Sequence, residues 1–164
     1  IVDLAGSIIA ELEAPTHPDG GMAVATQIGQ LVKGAAAKAE IDRALVRQTV
    51  VGCPGVPDQA TGQVRFAPNI PGIDIIDFRS VVADAAGTPV MLENDVNLAV
   101  LGEQWLGAGQ GIDDLAFIAL GTGIGAGLIV NGALVRGAAG TAGELGYLPF
   151  GADPFEAESL RGRL

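Results

Sequence analysis

The pattern with the most chemical content is Gly121-Thr122-Gly123-Ile124-Gly125-Ala126-Gly127, where glycine recurs at every second position between two apolar runs, residues 115–120 and 128–130. Glycine lets backbone N–H groups approach a ligand with no Cβ in the way. A turn of such groups forms a concavity suited to a phosphate, and Thr122 adds a hydroxyl. Spacing excludes two familiar phosphate sites. No Gly-Lys-Ser/Thr follows, as the Walker loop requires. The third glycine of a dinucleotide fingerprint is also missing, and a strand-like run stands where its helix should begin. The pattern reads as a β-hairpin whose glycine turn, with Gly121, Thr122, Gly123 and Gly125, cradles phosphate; the plain alternative is a tight hairpin with no ligand.

Asp95 precedes an apolar helical run and is placed to act as its N-cap. Asn94 beside it suits a turn, and Glu144 stands between Gly143 and Gly146 as either a solvated loop carboxylate or a pocket residue. His17, the single histidine, sits in a Pro-flanked loop and reads as a surface residue without metal partners. Cys53 before Pro54 reads as a small buried hydrophobe. Trp105 reads as core on an apolar helix face, and the acidic run 153–158 as solvated surface.

The elements that must position these residues alternate in type. Residues 1–13 predict a hairpin turning at Asp3-Leu4-Ala5-Gly6, and residues 21–40 the clearest helix, with Ala25, Ile28, Val32, Ala35 and Ala39 on one face. Residues 46–53 predict a strand closed by Pro54-Gly55, residues 58–66 a small hairpin turning at Thr61-Gly62, and residues 67–72 a Pro-bounded loop. A helix over 77–86 stopped by Gly87, a strand over 90–92 and a helix over 95–106 follow. Strands over 114–120 and 127–130 and a third over 133–135 complete the reading. Strands alternating with helices, together with hairpins, predict an α/β domain with a mixed sheet.

With 164 residues, 49% of them hydrophobic, the chain can build a packed core. A net charge of −10 argues against gripping a nucleic-acid backbone or an anionic membrane surface. One cysteine excludes a disulfide framework or a cysteine zinc site within the chain and suits a reducing, cytoplasmic setting. No apolar stretch approaches the ~20 residues of a membrane helix, and no signal-peptide pattern is present. The start, Ile1-Val2-Asp3-Leu4 without methionine, reads as that of a fragment of a longer protein.

Four stretches in order resemble the ROK family of bacterial sugar kinases and related transcriptional repressors. They are Val51-Gly52-Cys53-Pro54-Gly55-Val56-Pro57-Asp58 running on to Ala67-Pro68-Asn69-Ile70-Pro71-Gly72; Glu93-Asn94-Asp95-Val96-Asn97-Leu98-Ala99 with Gly102-Glu103; the glycine turn; and Gly140-Thr141-Ala142-Gly143-Glu144-Leu145-Gly146. The resemblance implies the actin-like, ribonuclease-H-like α/β fold of sugar kinases and HSP70-type proteins, present in part, with mixed sheets and flanking helices. It implies an N-terminal lobe over about residues 1–92 and the start of a C-terminal lobe over 93–164. Carried onto matching positions, it makes Asp95 the general base of a kinase, and Asn69, Gly72, Asn94, Asp95, Glu144 and Tyr147 the residues around a sugar. Gly121, Thr122, Gly123 and Gly125 become the nucleotide-phosphate residues.

Three departures bear on the expected function. The family's first phosphate loop, an Asp-x-Gly-x-Thr element, is expected upstream of Ile1 and is not in the chain. The histidine that follows Gly-Glu-x-Gly in the kinases, where it touches sugar and binds zinc, is Tyr147 here. The zinc-binding cysteines that should follow are replaced by Leu148-Pro149-Phe150-Gly151-Ala152-Asp153-Pro154. The resulting expectation is the effector-binding part of a ROK-type regulator that takes a monosaccharide or derivative. No cofactor and no zinc are expected, and a helix-turn-helix that contacts DNA is expected upstream. The resemblance also implies a homodimer. The alternatives are a truncated ATP-dependent hexose kinase, with ATP and magnesium, and a structural or dimerisation module that binds no sugar.

Overall fold

The computed structural model describes residues 1–148, and the chain divides after Glu93 into two compact units. In the first unit, α1 (Gly21–Lys38) begins at Gly20, whose φ of 87° only glycine adopts freely. A Cβ at Gly20 would overlap the Pro71 carbonyl, and the Gly21 N–H donates to that oxygen at 2.9 Å. The start of α1 is thereby fastened to the 67–72 loop. Helix α2 (Phe78–Ala86) is capped by Asp77, which accepts from Ser80 N at 3.0 Å and from Ser80 Oγ at 2.6 Å. It ends at Gly87, whose φ of 68° gives a left-handed stop.

The two helices cross at Gly29, where a Cβ would lie 2.6 Å from the Ala85 carbonyl oxygen. The buried face of α1 therefore centres on Val24, Ala25, Gly29, Ala35 and Ala36. Of the face expected from spacing, Ala25 and Ala35 are buried and Ile28, Val32 and Ala39 only partly so. The reason is that the closest approach uses a glycine, which hydrophobic periodicity does not register.

β1 (Thr49–Cys53) pairs with β4 (Val90–Asn94), and β2 (Val56–Pro57) with β3 (Val64–Arg65) in an antiparallel hairpin. That hairpin spans more residues than expected, because Asp58 organises its loop by accepting from Ala60 N at 2.9 Å and Thr61 N at 3.2 Å. Its N-terminal counterpart reduces to one antiparallel bridge, Val2 with Ile8. The core gathers Val24, Cys53, Val64, Ile73, Phe78, Val82 and Leu92. Each large apolar side chain so buried contributes about 1.5–3 kcal/mol.

In the second unit, α3 (Asp95–Leu106) packs on an antiparallel hairpin of β5 (Leu115–Leu120) and β6 (Ile124–Val130). Their register runs from Leu115 opposite Ile129 to Leu120 opposite Ile124, which leaves Gly121-Thr122-Gly123 as the turn. The strand expected to begin at Gly127 thus begins at Ile124, and Gly125 and Gly127 lie within it. A Cβ on Gly127 would come within 2.6 Å of the Val96 carbonyl, and one on Gly125 within 3.2 Å of Val96 Cγ2. Half of the alternating glycines therefore serve the approach of α3 to the sheet.

β6 continues through Asn131-Gly132, with φ of 50° and 74°, into β7 (Ala133–Leu134). The chain then returns along the same edge of β6: Val135 N donates to Leu128 O at 2.8 Å, and Ala126 N to Gly143 O at 2.7 Å. Trp105, expected in the core, is 59% exposed. The contact face of α3 runs through Val96 and Val100, and five residues on from Val100 a side chain has turned well away from it. The acidic run 153–158 lies outside the described residues. Among the described residues no helix is long and apolar enough to cross a membrane.

Candidate functional site

The chain leaves β4 at Asn94 with extended φ and ψ of −63° and 139°, and Asn94 Oδ1 accepts from Asn97 N at 3.0 Å. Asn94 is thus the N-cap of α3, a role the sequence assigned to Asp95. Both side chains offer an oxygen at equivalent reach, but only the residue three before the receiving N–H can close the cap. Asp95 becomes the first helical residue. It is exposed, and its Oδ1 accepts from Val96 N at 2.9 Å. A negative charge at a helix N-terminus is favoured by the unpaired N–H groups there.

Glu144 precedes a short 3-10 turn, Leu145–Tyr147, and is half-buried. Burial, and then the negative charge of Asp95, push its carboxyl above the usual carboxylate range. The second unit therefore brings Asp95 and Glu144 within electrostatic reach of each other. Tyr147 is exposed on the same turn, and its N–H donates to the Glu144 carbonyl at 3.2 Å. In the glycine turn, Gly121 N donates to Gly123 O at 3.0 Å, so that N–H is already engaged. Thr122 and Gly123 are exposed, and space around Gly121 and Gly123 is open.

Asn69 and Gly72 belong to the first unit. Both are exposed on the loop closed by Ile70 N to Ala67 O at 3.1 Å and Ile73 N to Ile70 O at 3.3 Å. Gly72 adopts φ 71° and faces open space.

Two buried polar residues flank the pair without having been singled out in the sequence: Glu93, 6% exposed, and Asn97, 4% exposed. Both have polar partners. The signal was the density of polar residues in Glu93-Asn94-Asp95-Val96-Asn97, two of which point inward. Glu103 has a structural role: its Oε2 accepts from Ala108 N at 2.9 Å and shapes the turn after α3.

Zinc of the kind the resemblance implies does not fit this donor set. Tyrosine at 147 is a poor zinc ligand at neutral pH beside imidazole. Cys53 is buried in the first unit and donates to the Glu93 carbonyl at 3.4 Å, while His17 is exposed beside Asp19 at 3.8 Å. Residues 148–164 contain no cysteine or histidine. Among the described residues no three His, Cys, Asp or Glu side chains form a metal-binding group.

The sequence pattern of the ROK family matches residues 1–159. The chain belongs to the ROK family. A glucokinase of Thermotoga maritima is 44% identical over 98 residues, 60% of this chain and 31% of that enzyme. A xylose repressor of Caldicellulosiruptor bescii is 39% identical over 97 residues, 59% of this chain and 24% of that protein. The crystal structure of a ROK family glucokinase from Streptomyces griseus in complex with glucose and AMPPNP superimposes with a TM-score of 0.79 at 36% identity, covering 91% of this chain and 46% of that one. The fold is the actin-like sugar kinase architecture, present in part, and this ROK chain spans less than half the length of each of these proteins.

Proposed function

We infer that the whole protein binds a monosaccharide or a derivative through Asn94, Asp95 and Glu144. The observation that carries this reading is the half-buried Glu144 carboxyl within electrostatic reach of Asp95. A half-buried carboxyl beside an exposed carboxylate is suited to accept hydrogen bonds from adjacent sugar hydroxyls. The family resemblance adds Asn69, Gly72 and the phenolic hydroxyl of Tyr147 as further proposed sugar contacts. The glucose in the Streptomyces griseus complex supports a hexose as the first ligand to try.

Tyrosine at 147 in place of histidine, with no cysteine among residues 148–164, favours a regulator in which the sugar is an effector. A regulator gains from binding only if the sugar prefers one of two conformations. The proposed whole protein is a cytoplasmic homodimer whose DNA contacts lie in a separate segment.

A second reading, an ATP-dependent hexose kinase, is favoured by the kinase relatives and by the exposed position of Asp95. There Asp95 takes the proton of the attacking sugar hydroxyl, Thr122 and Gly123 face the nucleotide phosphates, and transfer depends on positioning and charge stabilisation. Gly125, the remaining residue proposed to face phosphate, lies within β6.

Calorimetry with hexoses and N-acetylated sugars tests the binding reading, which fails if none binds. Turnover of ATP by the full-length protein, abolished by Asp95→Asn, would establish the kinase; sugar binding without turnover would establish the effector site.

A further inference from the structure

We propose that β6 acts as a common rail that sets the spacing of Asp95 and Glu144, with Gly125 and Gly127 as positioning residues on one side and Gly143 and Gly146 on the other. The proposal rests on the reading of these carboxylates as a pair. Asp95 begins α3, and its neighbour Val96 is the residue that lies against both Gly125 and Gly127. A Cβ at Gly127 would press on the Val96 carbonyl, an atom of the helix backbone that cannot yield without moving the whole first turn.

Glu144 is registered to the same stretch of β6 from its edge. Gly143, at φ 88°, sits so close to Ala126 that a Cβ would overlap the Ala126 carbonyl, and Gly143 O accepts from Ala126 N at 2.7 Å. Gly146 approaches Ile124, where a Cβ would be 3.0 Å from the carbonyl oxygen. Both carboxylates are thus registered to residues 124–127 of one strand, Glu144 by backbone approach at Gly143 and Gly146, and Asp95 through the Val96 carbonyl at Gly127 and the Val96 side chain at Gly125. This accounts for glycine at 125 and 127 without a ligand. It also supplies a fastening for the Glu144 turn that needs no metal.

The test is the titration of the Glu144 carboxyl, followed by 13C NMR in the sugar-free protein. Gly125→Ala puts a Cβ 3.2 Å from Val96 Cγ2, so Val96 must give by a few tenths of an ångström; the shift this passes to Asp95 is expected to lower the Glu144 midpoint toward the ordinary carboxylate range. Gly125→Ala with Val96→Ala removes the wedge and is expected to restore the wild-type midpoint. Gly102→Ala, on the same helix with nothing within 4 Å, is expected to leave it in place. Should Gly125→Ala not fold, Val96→Ile applies the same wedge from the helix side. A folded wedge variant with an unchanged Glu144 midpoint, or a shift that Val96→Ala does not reverse, overturns the proposal. Because no sugar is present, this result stands apart from the binding reading, which fails separately if the wild-type protein binds no hexose.

Discussion

Asn94 carries two duties that can be separated by substitution. Its Oδ1 accepts the Asn97 N–H at 3.0 Å as the cap of α3, and its amide is a proposed sugar contact. Asn94→Ala removes both. The cap alone is worth about 1 kcal/mol, with a range of roughly 0.5–2. In a chain of this size that corresponds to a fall of about 2–4 °C in Tm per kcal/mol. Asn94→Ser keeps an N-cap of comparable strength, so its Tm is expected to stay within about 1–2 °C of wild type. Serine cannot reproduce the amide's reach toward a ligand. The loss of one hydrogen bond, net about 0.5–1.5 kcal/mol, weakens hexose binding about two- to tenfold. Thermal unfolding followed by circular dichroism and calorimetric titration with glucose read the two effects. The reasoning is refuted if Asn94→Ser melts as low as Asn94→Ala, or if Asn94→Ser binds sugar as tightly as wild type.

Glu144→Gln tests the electrostatics of the pair. The folded carboxyl is raised above its unfolded value, so its contribution to stability is fully present below the unfolded carboxylate range and is lost as pH rises through the folded value. The variant is therefore expected to gain stability relative to wild type between about pH 3 and pH 7, read from denaturant midpoints at both ends. At the α1–α2 crossing, Gly29→Ala meets the Ala85 backbone at 2.6 Å and is expected to destabilise by about 1–3 kcal/mol despite better helix propensity. Gly34→Ala meets only the flexible end of Leu12 at 2.9 Å and is expected to gain up to about 1 kcal/mol. Chelation with EDTA is expected to leave both Tm and hexose affinity unchanged; a fall in either would mean that a metal holds the Glu144 turn.

Much of the frame was legible from local chemistry. Helix α3 runs over Asp95–Leu106 as expected, because a polar pair precedes its apolar run and Gly107 follows it. Helix α2 was marked by Asp77 and Gly87, which became its cap and its left-handed stop. What escaped the sequence depended on which backbone comes close to which. Gly29, Gly125 and Gly127 look like interruptions or ligand loops until the helix that lies against each is known. The exchange of cap between Asp95 and Asn94 is a one-residue matter of where the strand ends, and adjacent residues with the same acceptor chemistry do not reveal it. Trp105 is apolar but falls outside the arc of α3 that meets the hairpin. The nearness of Glu144 to Asp95 was legible only as a motif resemblance, since about fifty residues separate them in the chain and only the return along β6 joins them.

The most direct test is to add glucose, and then N-acetylated hexoses, to protein carrying 13C-labelled carboxyl groups, and to follow Asp95 and Glu144 together. Both resonances are predicted to move along one saturable curve with a shared Kd. A hexose that binds while leaving both carboxyls still, or a panel in which no sugar moves either one, would contradict the account.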